Sequence, residues 1–84
     1  MSFWADKRVV VTGGAGGIGL ACARGLAREG CRVALWDVSP GLVETAAALT
    51  EEFGHLSLGL AVDVSAIAAV EAAVRETEIA LGPI

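Results

Sequence analysis

Short aliphatic runs alternate along the chain with stretches in which apolar residues recur every three or four positions. The runs are Arg8-Val9-Val10-Val11-Thr12, Cys31-Arg32-Val33-Ala34-Leu35-Trp36 and Leu56-Ser57-Leu58-Gly59-Leu60-Ala61-Val62. Each is nearly continuous rather than strictly alternating, the pattern of a strand covered on both faces in a parallel sheet. Between them, Ile18, Cys22, Leu26 and Glu29 keep helical spacing, with Arg24 and Arg28 on another face. Leu42, Ala46, Leu49 and Phe53 form a second stripe opposite Glu44, Glu51 and Glu52, and Ile67, Val70, Val74 and Leu81 a third beside Glu71, Arg75 and Glu78. One apolar stripe per helix predicts three amphipathic helices packed on a common sheet.

Punctuation sets the limits. Gly30 stops the first helix, Gly54 the second and Gly82-Pro83 the third, as residues suited to helix C-termini do. Ser39-Pro40 is expected to cap and open the second helix, and Ser65 to cap the third. Strands alternating with helices imply right-handed parallel crossovers. The fold class expected is therefore α/β: a three-layer parallel sheet of three strands in the order 3-2-1, alternating with helices. It is one mononucleotide-binding half of a doubly wound fold, ending before a fourth strand.

Composition narrows the partners. The net charge is −4 and Lys7-Arg8 is an isolated basic pair, so nucleic acid is disfavoured. No apolar run approaches the roughly 18 residues of a membrane span, and the N-terminus lacks a secretory apolar region. Cys22 and Cys31 have no metal-ligand spacing and are expected to be small buried hydrophobes in a reduced, cytoplasmic protein. A mean hydropathy of +0.66 is high for 84 residues. Additional chain or a partner is expected to cover the surplus apolar surface.

The most informative segment is Thr12-Gly13-Gly14-Ala15-Gly16-Gly17-Ile18-Gly19, lying between an expected strand and an expected helix. A strand turning sharply into a helix needs backbone angles that glycine permits. A pyrophosphate can approach such a backbone closely and meet the unpaired N–H groups and partial positive charge of the helix N-terminus. Two registers fit, Gly14-x-Gly16-x-x-Gly19 and Gly13-x-x-x-Gly17-x-Gly19, and the glycines alone do not choose between them. A phosphate-binding loop of the nucleotide-hydrolase type does not fit, because no Lys-Ser/Thr pair follows the last glycine.

Asp37 closes the second strand, eighteen positions after Gly19. An acid there accepts hydrogen bonds from the adenosine ribose hydroxyls; the alternative is a solvated acid in a strand-end loop. Asp37 favours NAD over NADP, whose 2′-phosphate would face the carboxylate. Two like charges about 4 Å apart repel by about 4 kcal/mol at an effective dielectric near 20. About half that, allowing for solvent, still exceeds a tenfold preference.

Together, Thr12-Gly13-x-x-x-Gly17-Ile18-Gly19, Asp37 and Asp63-Val64 resemble the short-chain dehydrogenase/reductase family, across essentially the whole chain. The resemblance implies a Rossmann fold in which Gly13, Gly16, Gly17 and Gly19 shape the cofactor loop and Thr12 is structural. Ile18 would lie near the pyrophosphate or nicotinamide, Asp37 would hold the adenine ribose, and Asp63 and Val64 would contact the adenine. A strand-end acid favoured by a following helix dipole is the plainer account of Asp63. The family's reaction is hydride transfer to or from an alcohol or ketone, with a tyrosine acid/base and a lysine that lowers its pKa. The Asn-Ala-Gly segment and the catalytic Ser, Tyr and Lys are missing here. The chain contains no tyrosine, and its only lysine, Lys7, precedes the first strand.

Residues 1–84 are accordingly expected to be the N-terminal part of a single NAD-binding domain, not catalytically competent alone. A non-catalytic nucleotide-binding or oligomerising half-fold is the alternative. Self-association is expected through Val9, Val10 and Val11, whose strand would present a bare edge. His55, the only histidine, reads as a surface residue. Trp36 reads as a strand-end aromatic packed on a helix rather than an adenine-stacking ring. Phe3 and Trp4 are expected to cover a core edge.

Overall fold

The computed structural model describes residues 5–13 and 16–84. Six elements follow in the order β1 (Arg8–Thr12), α1 (Gly17–Arg28), β2 (Arg32–Asp37), α2 (Leu42–Phe53), β3 (Ser57–Ala61) and α3 (Ile67–Leu81). The strands form one parallel sheet with β2 between β1 and β3, which is the expected order. Val10 faces Ala34 in the ladder, and Ala34 faces Leu58. Phe3 and Trp4 lie outside the described residues, as do Gly14 and Ala15.

The central strand divides the core. Side chains alternate across a strand, so Val33 and Leu35 point to one face and Ala34 and Trp36 to the other. The first pair packs with Ala23 and Ala27 of α1 and with Leu42, Ala46 and Leu49 of α2. The second packs with Val62 and with Ala73 and Leu81 of α3. Two helices on one face and one on the other make the three layers. Only β2 is buried along most of its length; β1 and β3 are largely half-buried.

Two of the three helical stripes need correction. In α1 the buried residues are Ala23 and Ala27, whereas Cys22 is exposed and Ile18 is 85% exposed. Alanines let the helix approach the sheet closely, and the stripe is rotated by one residue from the expected one. Cys31, by contrast, is buried as expected. In α3, Val70, Val74 and Leu81 pack on the core as expected, but Ile67 is exposed, and Ala73 and Thr77 complete the buried face. The α2 stripe is as expected, with Leu42, Ala46 and Leu49 buried.

The helix ends show the same mixture. After α1, the Gly30 N–H donates to the Ala27 carbonyl at 3.0 Å and the Cys31 N–H to Leu26 at 3.1 Å. This is a Schellman closure, with Cys31 and Leu26 sharing a core cluster. Neither expected serine cap forms. Gly41, with a φ of 83°, takes the N-cap position of α2, two residues beyond Ser39, and its carbonyl accepts from the Thr45 N–H and hydroxyl, both at 3.0 Å. Ala66 takes that of α3, and Ser65, one residue earlier, donates its hydroxyl to the Asp63 carboxylate instead.

One contact joins two helices and a second ties a helix to the sheet. Arg24 of α1 makes a two-pronged ion pair with Glu52 of α2 at 2.8 and 2.7 Å, and its guanidinium lies 5.5 Å from the centre of the Phe53 ring. At the opposite end of the sheet from the strand C-termini, Arg8 and Arg32 both donate to the Leu81 carbonyl, at 3.3 and 3.1 Å. They thereby satisfy and electrostatically complement the C-terminus of α3.

Candidate functional site

The C-terminal ends of all three strands open into one cleft of about 250 Å³, lined by Gly13, Trp36, Asp37, Val38, Val62, Asp63 and Val64. Carboxyl ends of strands are where open α/β sheets hold ligands. Backbone hydrogen bonds align the rim. The Gly13 N–H donates to the Trp36 carbonyl at 2.8 Å, and the Val62 N–H to the Asp37 carbonyl at 3.0 Å. Residues from three loops far apart in sequence are thus held edge to edge.

Gly13 turns the chain out of β1 with a φ of +67°, a conformation that glycine adopts at no steric cost. Its carbonyl accepts the Gly16 N–H at 3.2 Å, and the Gly16 carbonyl accepts the first helical bond, from Leu20 at 2.8 Å. Gly16 is the N-cap of α1 without a side chain to offer, and no acid lies in the first turn. Among the described residues, no side chain caps the N–H groups there. Apart from its chain neighbours and its own helix backbone, a Cβ built on Gly17 would meet no atom of the described residues within 4 Å. Among those residues, neither packing nor a positive φ explains glycine at that position. Open space above bare N–H groups suits an anion approaching the backbone. Gly16, Gly17, Ile18 and Gly19 occupy the N-terminal turn of α1 rather than the lining of the cleft.

Both acids sit in the cleft wall. Asp37 is half-buried at the end of β2, where its Oδ1 accepts the Val38 N–H at 2.7 Å. Asp63 is exposed, and its Oδ1 accepts from the Ser65 hydroxyl at 2.6 Å and the Ser65 N–H at 2.9 Å. These two bonds, the hydroxyl first, hold the Asp63 carboxyl below its ordinary value. No lysine or arginine lines the cleft. A larger groove of about 420 Å³ runs along β3 against α2, but Glu51 is the only ionisable side chain in its wall.

One residue behind the site, Thr77, carries no sequence signal by type. Trp36 lines the cleft yet is buried, packed on α3 as expected, and its indole Nε1 donates to Thr77 Oγ1 at 3.2 Å. Thr77 reads as a surface polar residue by type. Its spacing, four residues after Ala73 and four before Leu81, places it on the buried face of α3, and that is the signal that finds it. His55 is exposed, as expected. Among the described residues, no helix is long and apolar enough to cross a membrane.

A family model described as short chain dehydrogenase matches residues 7–84. The chain belongs to the short-chain dehydrogenase family. Among the relatives of this short-chain dehydrogenase chain is 2-(S)-hydroxypropyl-CoM dehydrogenase 3 of Xanthobacter autotrophicus, 40% identical over 77 residues, covering 92% of this chain and 30% of that protein. Two solved structures share the fold. L-sorbose reductase from Gluconobacter frateurii, complexed with NADPH and L-sorbose, superposes with a TM-score of 0.85 at 39% identity, covering 93% of this chain and 30% of that one. NAD+-bound xylitol dehydrogenase superposes with a TM-score of 0.89 at 33% identity, covering 99% and 32%. The short-chain dehydrogenase chain therefore spans about a third of the length of the proteins it matches.

Proposed function

We propose that this chain binds the adenosine and pyrophosphate part of NAD, as the N-terminal part of a single Rossmann domain in an oxidoreductase that moves hydride to or from an alcohol or ketone. The observation that carries this is the convergence of Gly13, Asp37 and Asp63 on one cleft at the strand ends, beside a helix N-terminus without a capping side chain. Asp37 accepts hydrogen bonds from the ribose hydroxyls. Asp63 and Val64 meet the adenine, and Gly13, Gly16, Gly17, Ile18 and Gly19 present the backbone of the first helical turn to the pyrophosphate. The nicotinamide, when bound, supplies the hydride chemistry. Without a tyrosine, and with Lys7 ahead of β1 as its only lysine, the chain holds and orients the cofactor rather than moving the proton.

NAD is the cofactor that fits these residues. Two carboxylates and no base line the cleft, so a 2′-phosphate would meet repulsion without compensation. The similar xylitol dehydrogenase is bound to NAD+ and the similar sorbose reductase to NADPH, so the choice rests on this chain's own charges. Calorimetric titration of the 84-residue chain with NAD and NADP is expected to show at least tenfold tighter binding of NAD, and Asp37→Ala to remove that difference. Equal or tighter NADP binding would overturn the assignment, and binding of neither dinucleotide would overturn the cofactor reading itself.

The same charge and composition argue for a cytoplasmic protein that contacts neither membrane nor nucleic acid. The half-buried Val9, Val10 and Val11 lie on a strand hydrogen-bonded only to β2 among the described residues. An unpaired apolar edge recruits another strand, and the chain is proposed to form homo-oligomers through it. Light scattering at micromolar concentration tests this: a monomer across that range refutes it.

A further inference from the structure

We infer that Thr77, on α3 and outside the cleft, is a positioning residue for the cofactor site, acting through the indole of Trp36. The inference rests on the dinucleotide reading above. Thr77 is fully buried and Trp36 is 5% exposed. The two are 41 residues apart in sequence, and the indole N–H donates to the threonine hydroxyl at 3.2 Å. An indole has one polar atom, a donor with no second option. Buried without an acceptor, it is driven to reorient toward water.

The backbone of Trp36 makes that orientation matter. Its carbonyl holds the Gly13 N–H at 2.8 Å, at the start of the glycine turn, and the next residue is Asp37, whose carbonyl holds Val62 at 3.0 Å. Trp36 is therefore the point at which the ends of β1, β2 and β3 are tied together. Trp36 lines the cleft, and its side chain belongs to the core against α3. If the indole loses its acceptor, its buried N–H is left unpaired and the ring is driven from its place against α3. The ring's movement shifts the residue that carries Asp37 and the carbonyl that holds Gly13. Thr77 thus sets where the discriminating carboxylate stands without touching the cofactor.

Thr77→Val keeps the side-chain shape and removes only the acceptor; Thr77→Ser keeps the acceptor. In the cofactor-free chain, amide hydrogen exchange followed by NMR is expected to speed up about tenfold at Gly13 and Val62 in Thr77→Val. Exchange at Leu49, on the opposite face of the sheet, stays unchanged, and Thr77→Ser behaves as the unmodified chain. In titrations, Thr77→Val is expected to weaken NAD five- to tenfold and to shrink the NAD-to-NADP preference at least threefold, with Thr77→Ser restoring both. A uniform rise in exchange at all three amides, or a loss of affinity with the preference intact, would mark a merely structural role and overturn the inference.

Should Thr77→Val fail to fold, Thr77→Ala removes the same acceptor with a smaller apolar side chain, leaving the indole N–H unpaired; the same pattern is expected, and its absence refutes the inference. The exchange measurement needs no dinucleotide. Failure of the cofactor reading and failure of the Thr77 coupling are therefore separately visible.

Discussion

Gly59 and Gly25 invite the same substitution with opposite expected results. Gly59 lies mid-strand in β3, under the start of α2. A Cβ built there falls 2.9 Å from the Leu42 carbonyl oxygen, 3.2 Å from its carbonyl carbon and 3.2 Å from its Cγ. The oxygen belongs to the first residue of a helix, so relief requires α2 to lift from the sheet. Leu42 and Leu49 would both lose packing, because both belong to the core on that face. Overpacking of this kind costs about 1–3 kcal/mol. The opposing gain from a less flexible unfolded chain is about 0.4–1 kcal/mol. Gly59→Ala is expected to destabilise by about 1–2 kcal/mol net.

Gly25 sits inside α1, exposed, with nothing within 4 Å of its built Cβ. Gly25→Ala there gains about 0.5–1 kcal/mol. Urea unfolding of the 84-residue chain followed by far-ultraviolet circular dichroism separates the two. With a slope of about 1 kcal/mol per molar, the midpoint falls by about 1–2 M for Gly59→Ala and rises by roughly 0.5–1 M for Gly25→Ala. A Gly59→Ala midpoint at or above that of the unsubstituted chain would show that α2 does not approach β3 as described.

Further outcomes follow from the same contacts. Leu35→Ala empties a fully buried position in the central strand; a loss of about 2–5 kcal/mol should leave the chain largely unfolded at 25 °C, visible as a collapsed amide NMR dispersion. Asp63 and Glu52 both have lowered pKa values in the folded chain, held down by the Ser65 hydroxyl and by the Arg24 guanidinium respectively. Their stabilisation is complete above the ordinary carboxylate range and disappears as pH falls through the folded values. Midpoints should therefore stay level from neutral pH into the mildly acidic range and drop below it. Ser65→Ala should return the Asp63 carboxyl toward its ordinary value in a carbon-13 NMR titration. Cys22 should react rapidly with a disulfide reagent. Cys31, buried and with its thiol raised first by burial and then by Glu29, should react only on unfolding.

Much of the fold is legible because short-range chemistry specifies it. Continuous aliphatic runs and period-3.6 stripes locate six elements to within about a residue or two at most boundaries. The parallel order follows from the handedness of their crossovers. The glycine turn and Asp37 are legible for a related reason: both stand at a strand end, where their neighbours in sequence reveal the context. Asp63 is legible by position but not in its detail, since the Ser65 that caps no helix turns back to the carboxylate instead.

What the sequence determined by itself is the series of strands and helices, the turn at Gly13 and the strand-end acids, all of which depend on neighbours a few residues away. What the tertiary structure alone decided is which apolar faces are buried and which polar groups pair across layers. Ile18 and Ile67 are exposed while Ala23 and Ala27 are buried, because the close approach of helix to sheet, rather than hydrophobicity alone, selects small side chains. The bond from Trp36 to Thr77 spans 41 residues, a distance over which no local pattern carries information. It exists because packing sets the two side chains face to face, where an unpaired buried donor would be costly.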